Sequence, residues 1–148
     1  MGIFGRLMVM DANLTYDKIM KEKLEAMDAA PLASNENSEL HGELLDVNGF
    51  QFIGLKLVGP MKIESFQGCD LTFSGSFGEF EMESDSMEIK TGYSRGLKIG
   101  ITEFDIDLDE ELIDLINNKT IDSITIKVKK DCYTLDAVNQ EQLRALIS

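Results

Sequence analysis

Hydrophobic positions change their period partway along the chain. Between Leu14 and Ala30, Tyr16, Ile19, Met20, Leu24 and Met27 recur at three- and four-residue spacing, with Lys18, Lys21, Glu22 and Glu25 between them. That spacing predicts an amphipathic helix. Asn13 or Thr15 offers a capping oxygen at its start, and Pro31 ends it, because the residue before a proline is driven out of helical geometry. An apolar stripe needs a surface to cover, so residues 1–33 are expected to form a helical assembly arm. It would pack on its own sheet or join two copies into a homo-oligomer. The stretch Ser34–Glu39 offers no apolar residue to bury. Residues 34–43 therefore read as a polar linker between the arm and a β domain over 44–148.

From Leu44 onward the period is two. Phe52–Val58 and Met61–Phe66 read as successive strands punctuated by Gly59-Pro60, and Cys69, Leu71 and Phe73 alternate with polar residues before a turn at 75–78. In the stretch GEFEMESDSMEIK, residues 78–90, Phe80 and Met82 are expected inward. A second turn at Ser84-Asp85 would return Met87 and Ile89 to the same face, leaving Glu79, Glu81, Glu83 and Glu88 in water. Leu97, Ile99 and Ile101 alternate on one parity and Phe104, Ile106 and Leu108 on the other, which predicts a bulge near Thr102-Glu103. Ile124, Ile126 and Val128 form a further strand, and Cys132–Leu135 a last short one. Acids at Asp109–Glu111 open a crossover helix that ends at Asn117-Asn118, and residues 139–147 form a C-terminal helix with Leu143, Leu146 and Ile147 on one side. The expected fold is mainly β, an antiparallel β-sandwich or small barrel of about seven or eight strands with these three helices.

Composition narrows the function classes. At 148 residues with 43% hydrophobic and 28% charged positions, the chain is one ordinary globular domain. No apolar run approaches the ~20 residues of a membrane helix. Asp11 cuts the apolar start short and no small-residue cleavage site follows, so no signal peptide is expected. Two cysteines, Cys69 and Cys132, suit reduced, buried thiols in a cytoplasmic protein rather than a disulfide framework. Lys and Arg number 14 against 27 Asp and Glu, a net charge of −13. A phosphate backbone would be repelled, so nucleic acid is not an expected partner.

No full catalytic motif is present. The lone His41 cannot build a multi-histidine metal site and is expected at the surface. Asp105, Asp107 and Asp109 alternate like the start of a calcium loop, but the sixth position from Asp105 is Glu110, not glycine, and the twelfth is Ile116, not glutamate. No metal and no cofactor are expected. The segments 79–88 and 103–114 hold twelve acids and no Lys or Arg. Like charges side by side cost stability, so this excess suggests use. Glu79, Glu81, Glu83, Glu88, Asp105, Asp107 and Asp109 are accordingly the expected partner-binding residues. The leading expectation is a non-catalytic protein-binding or assembly module. A small acidic inhibitor of a basic partner comes second, and a carboxylate-dependent enzyme third.

Overall fold

A computed structural model describes residues 17–27 and 29–148. Tyr16 and the two capping candidates Asn13 and Thr15 lie outside the described residues. The strands are β1 (Ala33–Ser34), β2 (Glu39–Val47), β3 (Phe50–Gly59), β4 (Glu64–Ser65), β5 (Asp70–Gly75), β6 (Gly78–Glu83), β7 (Ile89–Ser94), β8 (Ile99–Asp107), β9 (Ser123–Val128), β10 (Asp131–Leu135) and β11 (Ala137–Val138). Three helices accompany them: α1 over 17–26, α2 (Glu110–Asn118) and α3 (Gln140–Ile147). All pairings are antiparallel, in a seven-stranded sheet ordered β11-β1-β2-β3-β8-β7-β4 and a four-stranded sheet ordered β10-β9-β5-β6. The arrangement is an open sandwich and not a closed barrel.

The core lies between the two sheets. Ile53, Leu55 and Leu57 of β3 and Phe104 and Ile106 of β8 meet Leu71 and Phe73 of β5 and Ile124 and Ile126 of β9 in one buried cluster. Helices α2 and α3 seal it with Leu112, Leu115, Ile116 and Leu143. The carboxylate of Asp109 caps α2 by accepting the Leu112 amide at 2.9 Å, and Asn139 caps α3 by accepting the Gln142 amide at 3.1 Å. At its other end α2 closes at Asn118, where the sequence placed it, with Lys119 as the C-cap in extended geometry (φ −119°).

Several local expectations are corrected. Residues 34–43, read as a linker, form the end of β1, a turn and the first half of β2. The polar residues there serve the turn itself. Asn35 Oδ1 accepts the amides of Asn37 and Ser38 at 3.0 and 2.8 Å, and Asn35 Nδ2 donates to the Thr134 carbonyl at 2.9 Å. Strand β8 carries no bulge: the β3–β8 register runs unbroken from Phe52↔Asp107 to Gly59↔Gly100. Its apolar residues change face because both faces are covered at one end. Thr102, Phe104 and Ile106 face the sandwich core, whereas Ile99 and Ile101 face outward and, with Val58, meet Met20, Leu24 and Met27 of the arm. Helix α1 of the arm thus packs on its own sheet. Ile19, part of the predicted stripe, is 47% exposed and takes no part in that contact.

The second half of GEFEMESDSMEIK also departs from expectation. β6 pairs with β5, but β7 joins the other sheet, so residues 84–88 cross between the layers instead of turning a hairpin. Met87 is 61% exposed on that crossing, and Ile89 enters the core from the opposite sheet. Strand Met61–Phe66 reduces to the two residues of β4, paired with β7 at the far edge. Cys69 is buried as expected; Cys132, on edge strand β10, is exposed.

Candidate binding edge

Strand β6 is an edge. Its alternation turns Phe80 and Met82 toward the core, where the Phe80 ring lies 6.2 Å from that of Phe73, and leaves Glu79, Glu81 and Glu83 exposed on the outer face. Two backbone hydrogen bonds settle which way its amides point. The Ser74 carbonyl accepts from Asp122, on the β9 side, at 2.7 Å, and the Cys69 carbonyl accepts from Ser84, on the β6 side, at 2.8 Å. Hydrogen-bonded and non-bonded pairs alternate along an antiparallel ladder. Odd residues of β5 therefore bond β6, and the pairs Ser74↔Glu79, Thr72↔Glu81 and Asp70↔Glu83 are the non-bonded ones. The backbone N–H and C=O groups of Glu79, Glu81 and Glu83 consequently face the open edge. Among the described residues, each of the three acids thus presents a carboxylate and an unfilled backbone pair in the same place.

The face beside this edge is polar. Thr72 lies between Glu81 and Thr125, and Asp70 between Glu83 and Lys127. An open groove of about 440 Å³ runs along Asp70, Thr72, Glu81, Met82, Glu83 and Lys127. Among the described residues Lys23 and Glu103 form an ion pair at 3.7 Å and His41 Nε2 lies 2.9 Å from Glu39 Oε2; no cation makes an ion pair with the β6 acids, although Lys127 lines the same groove.

The remaining predicted acids are elsewhere. Asp105 and Asp107 stand on the outer face of the seven-stranded sheet, the opposite side of the sandwich, beside Glu103 with its Lys23 partner. Glu79, Glu81 and Glu83 therefore share no surface with Asp105 and Asp107, and the two acidic runs meet only at the crossing segment, where Asp85 lies beside Asp105. The Asp105 carboxyl is held above its ordinary value of 3.8, first by burial and then by the charges of Asp85, Glu103 and Glu43. Asp109 is occupied as the α2 cap, and Glu88 lies exposed on the crossing segment. That crossing is pinned to both sheets: Asp85 donates its amide to the Asp105 carbonyl at 2.7 Å, and Ser84 Oγ accepts the Cys69 amide at 3.0 Å. Burial pushes the Cys69 thiol up to about 11, which keeps it protonated and unreactive at neutral pH.

Of the arm residues, Met20 is 3% exposed, and Leu24 and Met27 are half-buried against the outer face of the seven-stranded sheet. Beside the end of the arm, a cleft of about 150 Å³ is lined by Met27, Ala30, His41, Glu43 and Lys56. His41 is half-buried there, not a free surface residue. Among the described residues no group of three His, Cys, Asp or Glu side chains is placed to hold a metal ion.

Comparison with protein-family models, with curated proteins and with solved structures finds no match to this chain. A functional reading therefore has to rest on the geometry of the site, because a fold by itself does not specify a function.

Proposed function

We propose that this is a non-catalytic binding module that takes an extended, basic segment of a partner protein as an added strand along β6. The observation that carries the reading is the coincidence at Glu79, Glu81 and Glu83 of exposed carboxylates and outward-facing backbone groups. Strand addition draws its affinity from main-chain hydrogen bonds and its specificity from side chains at alternate positions. Here the alternate positions demand Lys or Arg. The same acids act against self-pairing: a second copy of β6 would bring carboxylates against carboxylates, and like charges directly opposite are destabilising. The edge thus discriminates by repulsion as well as by attraction. A partner enzyme whose basic site is covered in this way would be inhibited, which makes the inhibitor reading a special case of the same contact.

The test begins with affinity capture of partners by the full chain, followed by association kinetics with the captured protein. Replacing Glu79, Glu81 and Glu83 by Gln should lower the association rate and flatten its dependence on salt, since rim charges act mainly through steering. Unchanged rate and salt dependence would make the acids an ordinary solvated surface.

A further inference from the structure

Among the described residues, the outer face of the seven-stranded sheet is only half covered. At one end Val58 and Ile101 lie under Met20 of α1. Toward the β2–β3 hairpin the same face carries Leu45 opposite Phe52 and Val47 opposite Phe50, all of outward parity. Val47 is 53% and Phe50 71% exposed. Leu45 leans over Gly54, where an added Cβ would meet its Cδ1 at 2.9 Å, so the glycine makes room for an apolar strip across both strands. Acids rim this strip: Glu43 and Asp105 flank Gly54, and Asp107 lies opposite Phe52. An exposed cluster of large apolar side chains ringed by charge marks a binding surface, not scattered surface hydrophobics.

We propose that the chain's own residues 3–10, which precede the described part, dock on this strip in cis. Their sequence, IFGRLMVM, is apolar throughout except for Arg6, and that one cation matches the rim of Glu43, Asp105 and Asp107. Reach is sufficient. The chain enters α1 at Asp17, whose Oδ1 accepts from Ser94 Oγ at 2.6 Å, at the end of the sheet where β8 begins. From Ile99 to Asp107, β8 covers about 27 Å at ~3.4 Å per residue. If residues 14–16 continue the helix, residues 11–13 extended still cover about 10 Å and residues 3–10 about 27 Å more, which brings the segment onto the strip. A short tether also supplies the segment at an effective concentration of order mM, above that of a second copy at ordinary protein concentrations. The docked segment would continue the apolar layer begun by α1, and the site is independent of the β6 edge.

The chain contains no tryptophan, so Phe4→Trp places a single reporter in the segment. The expected result is emission shifted to the blue of that in denaturant, independent of protein concentration. Adding Val47→Asp and Phe50→Asp should return it to the denatured position while far-ultraviolet circular dichroism stays unchanged; Phe50→Asp alone, at a side chain already largely in water, serves if the double variant does not fold. Emission in the intact chain already at the denatured position would overturn the proposal. So would a blue shift that survives the aspartates, which puts the segment elsewhere. A blue shift that appears only with rising concentration, together with a dimer mass, would assign the strip to a second copy instead.

Discussion

Replacing Met20 by Ala separates the stability of the arm from that of the sandwich. Fully burying a Met side chain contributes roughly 1.5–3 kcal/mol, and Met20 is 3% exposed against Val58 and Ile101. The loss is about 2 kcal/mol, the lower end of core Met→Ala changes. Among the described residues little else holds α1 in place. Leu24 and Met27 are half-buried, Asp17 accepts one hydrogen bond from Ser94, and the exposed Lys23–Glu103 pair adds under ~1 kcal/mol. A helix of this length does not persist alone in water, so docking and helix formation are one event. A loss of about 2 kcal/mol should therefore raise the open population of α1, and the exchange rate of its amides, about 30-fold. Protection in β9, whose Ile124 and Ile126 belong to the other cluster, should not change. Leu57→Ala, at a side chain with 0% exposure between the sheets, should instead lower the whole melting transition by ~2–5 kcal/mol. Amide hydrogen exchange on the two variants decides the matter. Unchanged α1 protection in Met20→Ala, or an equal loss in β9, would refute a separately docked arm.

Three other outcomes follow from single sites. Asp109→Ala removes the α2 cap and should cost about 0.5–2 kcal/mol in denaturant unfolding, whereas Asp107→Ala, a solvated neighbour, should cost far less. The Asp105 carboxyl has a raised value in the folded state, so the fold binds its proton more tightly than the unfolded chain does; stability from this group falls as pH rises from 3.8 through the raised value and stays lower above it. Asp105→Asn should then melt higher than the parent at pH 7, with the gap closing below pH ~4, where the unfolded carboxyl is also protonated. Finally, the triple Gln variant at Glu79, Glu81 and Glu83 should fold with an unchanged or slightly raised melting temperature, because exposed acids contribute little individually and here repel one another; a clear drop would mean that the acids are structural.

What the sequence made legible were elements whose two faces differ strongly. The β5–β6 hairpin follows from Leu71 and Phe73 inward with Phe80 and Met82 opposite, and α2 and α3 follow from their caps and their buried leucines. Strand β2 was obscured because Glu39, His41 and Glu43 occupy its outer positions and Gly42 one inner position, leaving Leu40 as its one fully buried side chain. Its hairpin signal was present nonetheless: Asn48-Gly49 adopts positive φ (54° and 87°), and Asp46 Oδ1 accepts the Gly49 amide at 3.0 Å. The change of parity in β8 misled because a period-two pattern assumes one covered face, and α1 covers the second face at Ile99 and Ile101. Nothing local to residues 84–88 marks them as a crossing between sheets, since pairing partners are set by contacts distant in sequence. For the same reason Glu79, Glu81 and Glu83 fall on the opposite side of the molecule from Asp105 and Asp107. The candidate residues Glu79, Glu81 and Glu83 were readable as exposed; that their amides also face outward depends on the β5–β9 and β5–β6 hydrogen bonds.

The central claim, a strand-accepting edge at β6, is tested most directly by amide exchange of the full chain with a probe peptide of alternating Lys and Thr. Binding as an added strand should slow exchange at Glu79, Glu81 and Glu83 and leave Phe80 and Met82, whose amides already bond β5, as they were. A version of the peptide N-methylated at its pairing positions, with the same charge, should give no such protection. Equal protection by both peptides, or protection at none of the three acids under low salt, would contradict the account and leave the acidic row a solvated surface.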